Sequence, residues 1–161
     1  MASLEDLVEN GSIVRIEIGL PARELPERLL FGTPDFVQWL EKRAAQREPS
    51  ASAADLTPAE QIYGLFYRYV AGKPLIISRQ FRALTQIKNS VWELKTPDIR
   101  IFGWFPAKDV FIAVFGDWAD RVKEYDLYRG YRLEVGRIRR ELVGEKELCI
   151  WGTNPDDVLS L

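Results

Sequence analysis

Hydrophobic spacing changes period several times along the chain, and each change marks an element. Residues 12–19, SIVRIEIG, alternate, with Ile13, Arg15 and Glu17 against Val14, Ile16 and Ile18. The run is β-branched and stops at Gly19, so it predicts a half-buried strand. Pro21 opens a polar, Leu-containing stretch. Thr33-Pro34-Asp35 predicts an N-cap with proline at the first helical position. Phe36, Leu40 and Ala44 follow at helical spacing, in a helix running to about Gln46. Residues 47–56, REPSASAADL, are small and polar and form the one evident linker. Thr57 and Glu60 have capping-box spacing, and Ile62, Leu65, Phe66, Tyr69 and Val70 form an apolar stripe ending at Gly72 and Pro74. In residues 75–90, Ile76, Phe81, Leu84 and Ile87 fit either a short helix or an irregular packed segment.

The strongest β signal follows. VWEL (91–94), IRIFGWF (99–105) and VFIAVFG (110–116) are separated by a Pro97-Asp98 turn and a PAKD turn at 106–109. Such short loops predict an antiparallel meander, and the continuous apolar run 110–115 predicts a central strand covered on both faces. From Trp118 to Leu142 the period becomes helical, with Val122, Tyr125, Val135 and Ile138 on a face also rich in Arg. A short strand is expected at 147–151 and a turn at Asn154-Pro155. The pattern therefore predicts one α+β domain over 1–161, built on an antiparallel sheet of about four strands packed by helices. Residues 1–56 form an N-terminal strand–helix extension and linker, 57–142 the core and 143–161 an acidic C-terminal tail.

Composition removes several chemistries. The chain has 161 residues, one Cys and no His. That excludes an intramolecular disulfide, Ser-His and Cys-His pairs, and nearly all zinc sites. Any catalysis must run on Lys, Arg, Tyr, carboxylates or hydroxyls. No apolar run approaches the roughly 18 residues of a membrane span. The acidic start MASLEDLVENG lacks a secretory layout, so a cytoplasmic protein with no membrane partner is expected. Net charge is −2, but it is unevenly spread: −4 over 1–56, +5 over 57–142 and −3 over 143–161. A basic middle between acidic flanks predicts a surface that meets a polyanion and acidic material lying near it; the plain alternative is an uneven solvated surface.

The stretch Val91-Trp92-Glu93-Leu94-Lys95, then Ile99-Arg100-Ile101-Phe102, then Val110 to Gly116, resembles the RelE/ParE/HigB-type toxins of bacterial and phage toxin–antitoxin systems, in particular the phage-derived HigB-like branch. The likeness covers about 57–142. It rests on a W-E-L-R-like strand, an Arg on the next strand, an apolar strand ending in Gly and a basic, Tyr-bearing segment after it. The resemblance implies a RelE-like architecture with an N-terminal extension. It also implies, as in many members, a metal-independent mRNA endoribonuclease (an mRNA interferase), with RNA or the ribosome and an antitoxin protein as partners and no cofactor. Other members act by binding alone. A non-catalytic RelE-like binding protein and a phage accessory protein on a similar scaffold are therefore also carried forward. Just after Gly116, RNA-cleaving members commonly carry Lys and Arg; this chain has Asp117, Trp118, Ala119 and Asp120.

Carried over position by position, the resemblance makes Arg100, Tyr125 and Lys95 the candidate catalytic residues. Cleavage through a 2′-hydroxyl needs a proton acceptor, cations on the charged phosphorane and a donor to the leaving oxygen. Arg100 suits phosphate because its planar fork pairs oxygens bidentately; the alternative is a solvated edge charge or a partner for Asp98 or Glu93. Lys95 serves as a base only if desolvation lowers its pKa, and the same requirement makes Lys108, in its turn, a plainer solvated residue. Arg121, Lys123, Arg129 and Arg132 are the candidate nucleic-acid contacts. Against this, Asp117 and Asp120 can cap the helix and neutralise Arg121 and Lys123, while Tyr125, Tyr128 and Tyr131 can pack on the sheet. Trp92, Phe102, Trp104 and Phe105 read as core. The spacing of Asp117, Asp120 and Glu124 matches no metal-ligand motif, so no metal is expected. Arg137, Arg139, Arg140 and Glu141 read as a solvated helix end.

Overall fold

A computed structural model describes residues 3–45, 49–52, 54–77, 79–84, 90–144 and 147–160. Gln46 and Ile87, and the side chain of Ala44, lie outside what is described. The chain opens with a short helix that its acidic composition did not announce, α1 (Leu4–Glu9), closed by a capping box between Ser3 and Asp6. Then come β1 (Val14–Arg15), β2 (Leu29–Gly32), α2 (Pro34–Ala45) and α3 (Pro58–Val70). The Thr33 hydroxyl accepts from the Phe36 amide, and Thr57 and Glu60 form the expected box at α3. β3 (Phe81–Ala83), β4 (Trp92–Lys95), β5 (Ile99–Ala107) and β6 (Val110–Trp118) follow. The chain ends with α4 (Ala119–Glu124), α5 (Tyr128–Val143) and α6 (Pro155–Val158).

The sheet corrects the expected fold class. Among the described residues it has six strands in the order β1-β2-β6-β5-β4-β3, and it is mixed, because β2 runs parallel to β6. An antiparallel sheet of about four strands is therefore not what forms. The meander β4-β5-β6 is present, but it is extended on both sides by strands with weak local signals. β2 is the four-residue run LLFG, and Leu30, Phe31 and Gly32 are all buried, so it shows no alternation. Its partner lies far away in sequence, Leu29 opposite Val110 and Gly32 opposite Ala113. β3 comes from the ambiguous 75–90 stretch and pairs Phe81 with Leu94. Of the alternating run 12–19, only Val14 and Arg15 form a strand. Residues 147–151 form no strand, although the Ile150 amide donates to Phe105 O at 2.8 Å.

Both sheet faces are covered, so the molecule has three layers. On one face α2 and α3 bring Phe36, Ile62, Phe66 and Tyr69 onto Leu94, Ile101, Phe105 and Phe111. On the other, α1, α4 and α5 bring Leu7, Val122, Val135 and Val143 onto Phe102, Trp104, Ile112 and Val114. β6 thus buries Phe111 and Ala113 one way and Ile112 and Val114 the other, as expected of a doubly covered strand. Gly116 is required by this packing: a Cβ there would stand 2.4–2.6 Å from three atoms of the Trp39 ring. The end of the C-terminal segment packs into the fold. Val158 and Leu159 are fully buried in the first core, and Ser160 binds Asp109 through both its amide and its hydroxyl.

Candidate nucleic-acid interface

The turn between β4 and β5 organises the candidate site. The Thr96 amide donates to Ile99 O at 3.0 Å and the Ile99 amide to the Thr96 hydroxyl at 2.9 Å. Across this end of the sheet, Lys95, Arg100 and Asp117 are directly opposite one another, so their side chains share a face. A cleft of about 720 Å³ opens beside the turn. Its described lining includes Arg68 of α3, Arg79 of the segment before β3, Lys95 of β4, Arg100 of β5 and Lys123 of α4. Asp55 is the one carboxylate in that lining, while Leu56, Leu65 and Ile76 supply apolar wall.

Arg100 is buried and held. One terminal nitrogen donates to Thr96 O at 2.5 Å and to Ile99 O at 3.1 Å. Its Nε lies 3.7 Å from Glu93 Oε2, an ion pair too long for a hydrogen bond. The other Glu93 oxygen accepts from Arg82 Nε at 2.7 Å, and the Arg82 guanidinium also lies over the Tyr128 ring. Arg100 thus partners Glu93, one of the alternatives read from the sequence, and lines the cleft; it is not a solvated edge charge, and Asp98 engages Gln61 instead.

The Lys95 ammonium is held below the ordinary lysine range. Partial burial is the main cause; the nearby Glu93 opposes it, and Arg100, Arg82 and Lys123 reinforce it. Asp98, behind the cleft wall, is shifted the other way from its burial. Burial would raise its pKa, but hydrogen bonds from Ser50, Gln61 and Ser52 outweigh it and hold the carboxyl below the usual range. The Ser52 amide bond to Asp98, together with a bond from the Gln61 side-chain amide to Leu56 O, anchors the loop that carries Asp55 and Leu56 to the cleft.

The remaining candidates are dispersed. Tyr125 is exposed at the C-cap of α4 and lines a separate cavity of about 290 Å³ with Trp118, Asp120 and Glu124. Arg121 donates to Asp117 Oδ2 at 2.7 Å, and the Tyr131 hydroxyl donates to the same oxygen. Arg121 is therefore neutralised as the plain reading had it. It and Lys123 sit in the last turn of α4, where cations suit the helix dipole. Asp117 caps nothing along α4; its other oxygen takes the Trp118 amide. Arg129 is exposed and Arg132 half-buried on α5, and neither lines the cleft. Tyr131 stacks on Phe102 at 4.7 Å and Tyr128 meets it edge-on at 6.1 Å, so these two tyrosines pack on the sheet. Arg139 is not solvated: it is buried, 4.7 Å over the Trp151 ring.

Lys95, Arg100 and Lys123 are thus brought together, whereas Tyr125, Arg121, Arg129 and Arg132 lie outside the cleft. Sequence reasoning missed Arg68 and Arg79. Both lie outside the strands that carried the motif, and nothing local marks either as converging on it. Among the described residues, no group of three or more His, Cys, Asp or Glu side chains is placed to hold a metal ion, and no helix is long and apolar enough to cross a membrane. No protein-family model, curated protein or solved structure matches the chain.

Proposed function

We propose that this protein is a toxin-like RNA-binding protein that holds the RNA backbone in the cleft beside the β4–β5 turn. The observation that carries this reading is the convergence of Arg68, Arg79, Lys95, Arg100 and Lys123, from five separate chain segments, against one carboxylate among the described lining residues. A folded chain gathers like charges only at a cost in repulsion, and that cost is offset when a polyanion is bound. Burial and the bonds to Thr96 O and Ile99 O fix the Arg100 guanidinium in place and so lower the entropy lost on meeting a phosphate.

The test is binding of a fluorescent single-stranded RNA across a salt series. Engaging three or four phosphates predicts a slope of log K against log salt of about −2 to −3. Lys95→Ala with Lys123→Ala, in one protein, should make the slope shallower and weaken binding about tenfold or more. A flat salt dependence, or a double variant that binds like the parent, refutes the reading.

One observation favours cleavage as a second reading. Lys95, whose ammonium is held below the ordinary lysine range, is paired directly opposite Arg100, so a proton acceptor would stand beside a cation at the cleft. Tyr125 lies outside the cleft and takes no part in that version. Single-turnover incubation of RNA in chelator tests it: Lys95→Arg should keep binding and lose cleavage. Intact RNA with the parent protein leaves the binding role alone.

A further inference from the structure

The RNA-binding reading leaves open which phosphates the cleft is built for, and the following inference rests on that reading. Five cationic side chains and one carboxylate among the described lining leave a surplus of four positive charges. The second layer brings this to between three and four. Glu93 behind Arg100 is matched by Arg82, and Asp98 is engaged by Gln61 and the Ser52 amide, which removes at most one charge.

That charge is gathered at one cleft. A stacked single strand spaces its singly charged phosphates several ångströms apart along the open cleft. A terminal triphosphate concentrates about four negative charges into a shorter span, one each on two bridging phosphates and about two on the last. The described lining also contains no aromatic residue, so the wall offers no platform on which bases of a through-running strand could stack. Leu56, Leu65 and Ile76 leave an apolar wall suited to a single sugar–base unit beside a compact anion.

We propose that the cleft recognises a 5′-triphosphate, carried either by an RNA end or by a free nucleoside triphosphate. Arg68, Arg79 and Lys123 reach the cleft from three different segments, and Lys95 and Arg100 reach it from paired strands of the sheet. Recognition is by charge density and does not depend on base identity.

The experiment compares one short RNA prepared with a 5′-hydroxyl and with a 5′-triphosphate, plus free ATP, GTP and AMP as competitors, all in chelator so that the triphosphate keeps its full charge. The triphosphate RNA should bind at least about tenfold tighter than the hydroxyl form. ATP and GTP should compete equally well and AMP poorly. Arg79→Ala and Lys123→Ala remove exposed side chains and leave the fold intact; each should reduce the triphosphate preference, whereas Lys108→Ala, in the β5–β6 turn, should not. Equal binding of the two RNAs with no competition by ATP overturns the triphosphate assignment and leaves the RNA-binding reading standing. Competition and binding by nucleoside triphosphates with no binding of either RNA supports the triphosphate site and removes the RNA. No binding of any ligand overturns both.

Discussion

Arg28 offers the most exacting test of how this chain is held together. Its side chain is 2% exposed, yet its guanidinium reaches four places distant in sequence. It donates to Tyr69 O at 3.2 Å, Lys73 O at 3.0 Å and Ser160 O at 3.1 Å, and it lies 3.6 Å from Asp109. It also sits 5.5 Å over the Tyr69 ring. One residue thereby ties the entry to β2, the end of α3, the β5–β6 turn and the C-terminus. Arg28→Met keeps the stem and removes every polar contact. The bond to Tyr69 O is buried, so orphaning that carbonyl costs about 1–3 kcal/mol; the other two carbonyls are partly wet and lose about 0.5–1.5 kcal/mol each. Relief of the guanidinium's own burial returns part of this, for a net loss of about 2–4 kcal/mol. Urea unfolding of parent and variant, with the slope checked for equality, measures it. Hydrogen exchange of the Asp109 amide, which donates to Val158 O, should accelerate in the variant. A variant as stable as the parent, with Asp109 still protected, would refute the account of Arg28 as the buried tie between these segments.

Other consequences are equally measurable. Ile112→Ala removes a fully buried side chain from the centre of β6 and should cost about 2–5 kcal/mol in chemical unfolding; a loss under about 1 kcal/mol would contradict the central placement of that strand. Asp98 is held below its unfolded pKa, so its contribution is complete above about pH 4 and disappears as pH falls through its lowered folded value. Asp98→Asn should therefore be less stable than the parent at neutral pH, with the gap closing in acid; a gap independent of pH would refute the assignment.

How far the sequence is legible depends on whether the determinant is local. The Thr57–Glu60 box, the Thr33 cap and the β4-β5-β6 meander are set by neighbours a few residues apart, and each forms where the pattern predicts. β2 escapes because LLFG is buried on both faces and its parallel partner lies some eighty residues on, so neither alternation nor a hairpin turn marks it. The 12–19 run alternates as a strand does, but after Arg15 its Ile16 and Ile18 pack on the first core as irregular chain. The acidic end reads as a tail because Val158 and Leu159 are too few to show a period, yet both are core. At the candidate site, Lys95 and Arg100 are legible because the short β4–β5 turn forces them side by side. Lys123 joins them because α4 follows β6 directly and brings its side chain to the same cleft. Tyr125, two residues further on at the C-cap of that helix, lines a different cavity, as helical spacing implies for residues two apart. Arg68 and Arg79 reach the cleft only through tertiary packing.

The most direct test of the account is an amide chemical-shift titration of the labelled protein with a short single-stranded RNA. The account predicts saturable shifts centred on Arg79, Lys95, Thr96, Arg100 and Lys123, with Arg129 and Arg132 on α5 unmoved. Saturable shifts centred on α5 instead, with the β4–β5 turn unchanged, would contradict it.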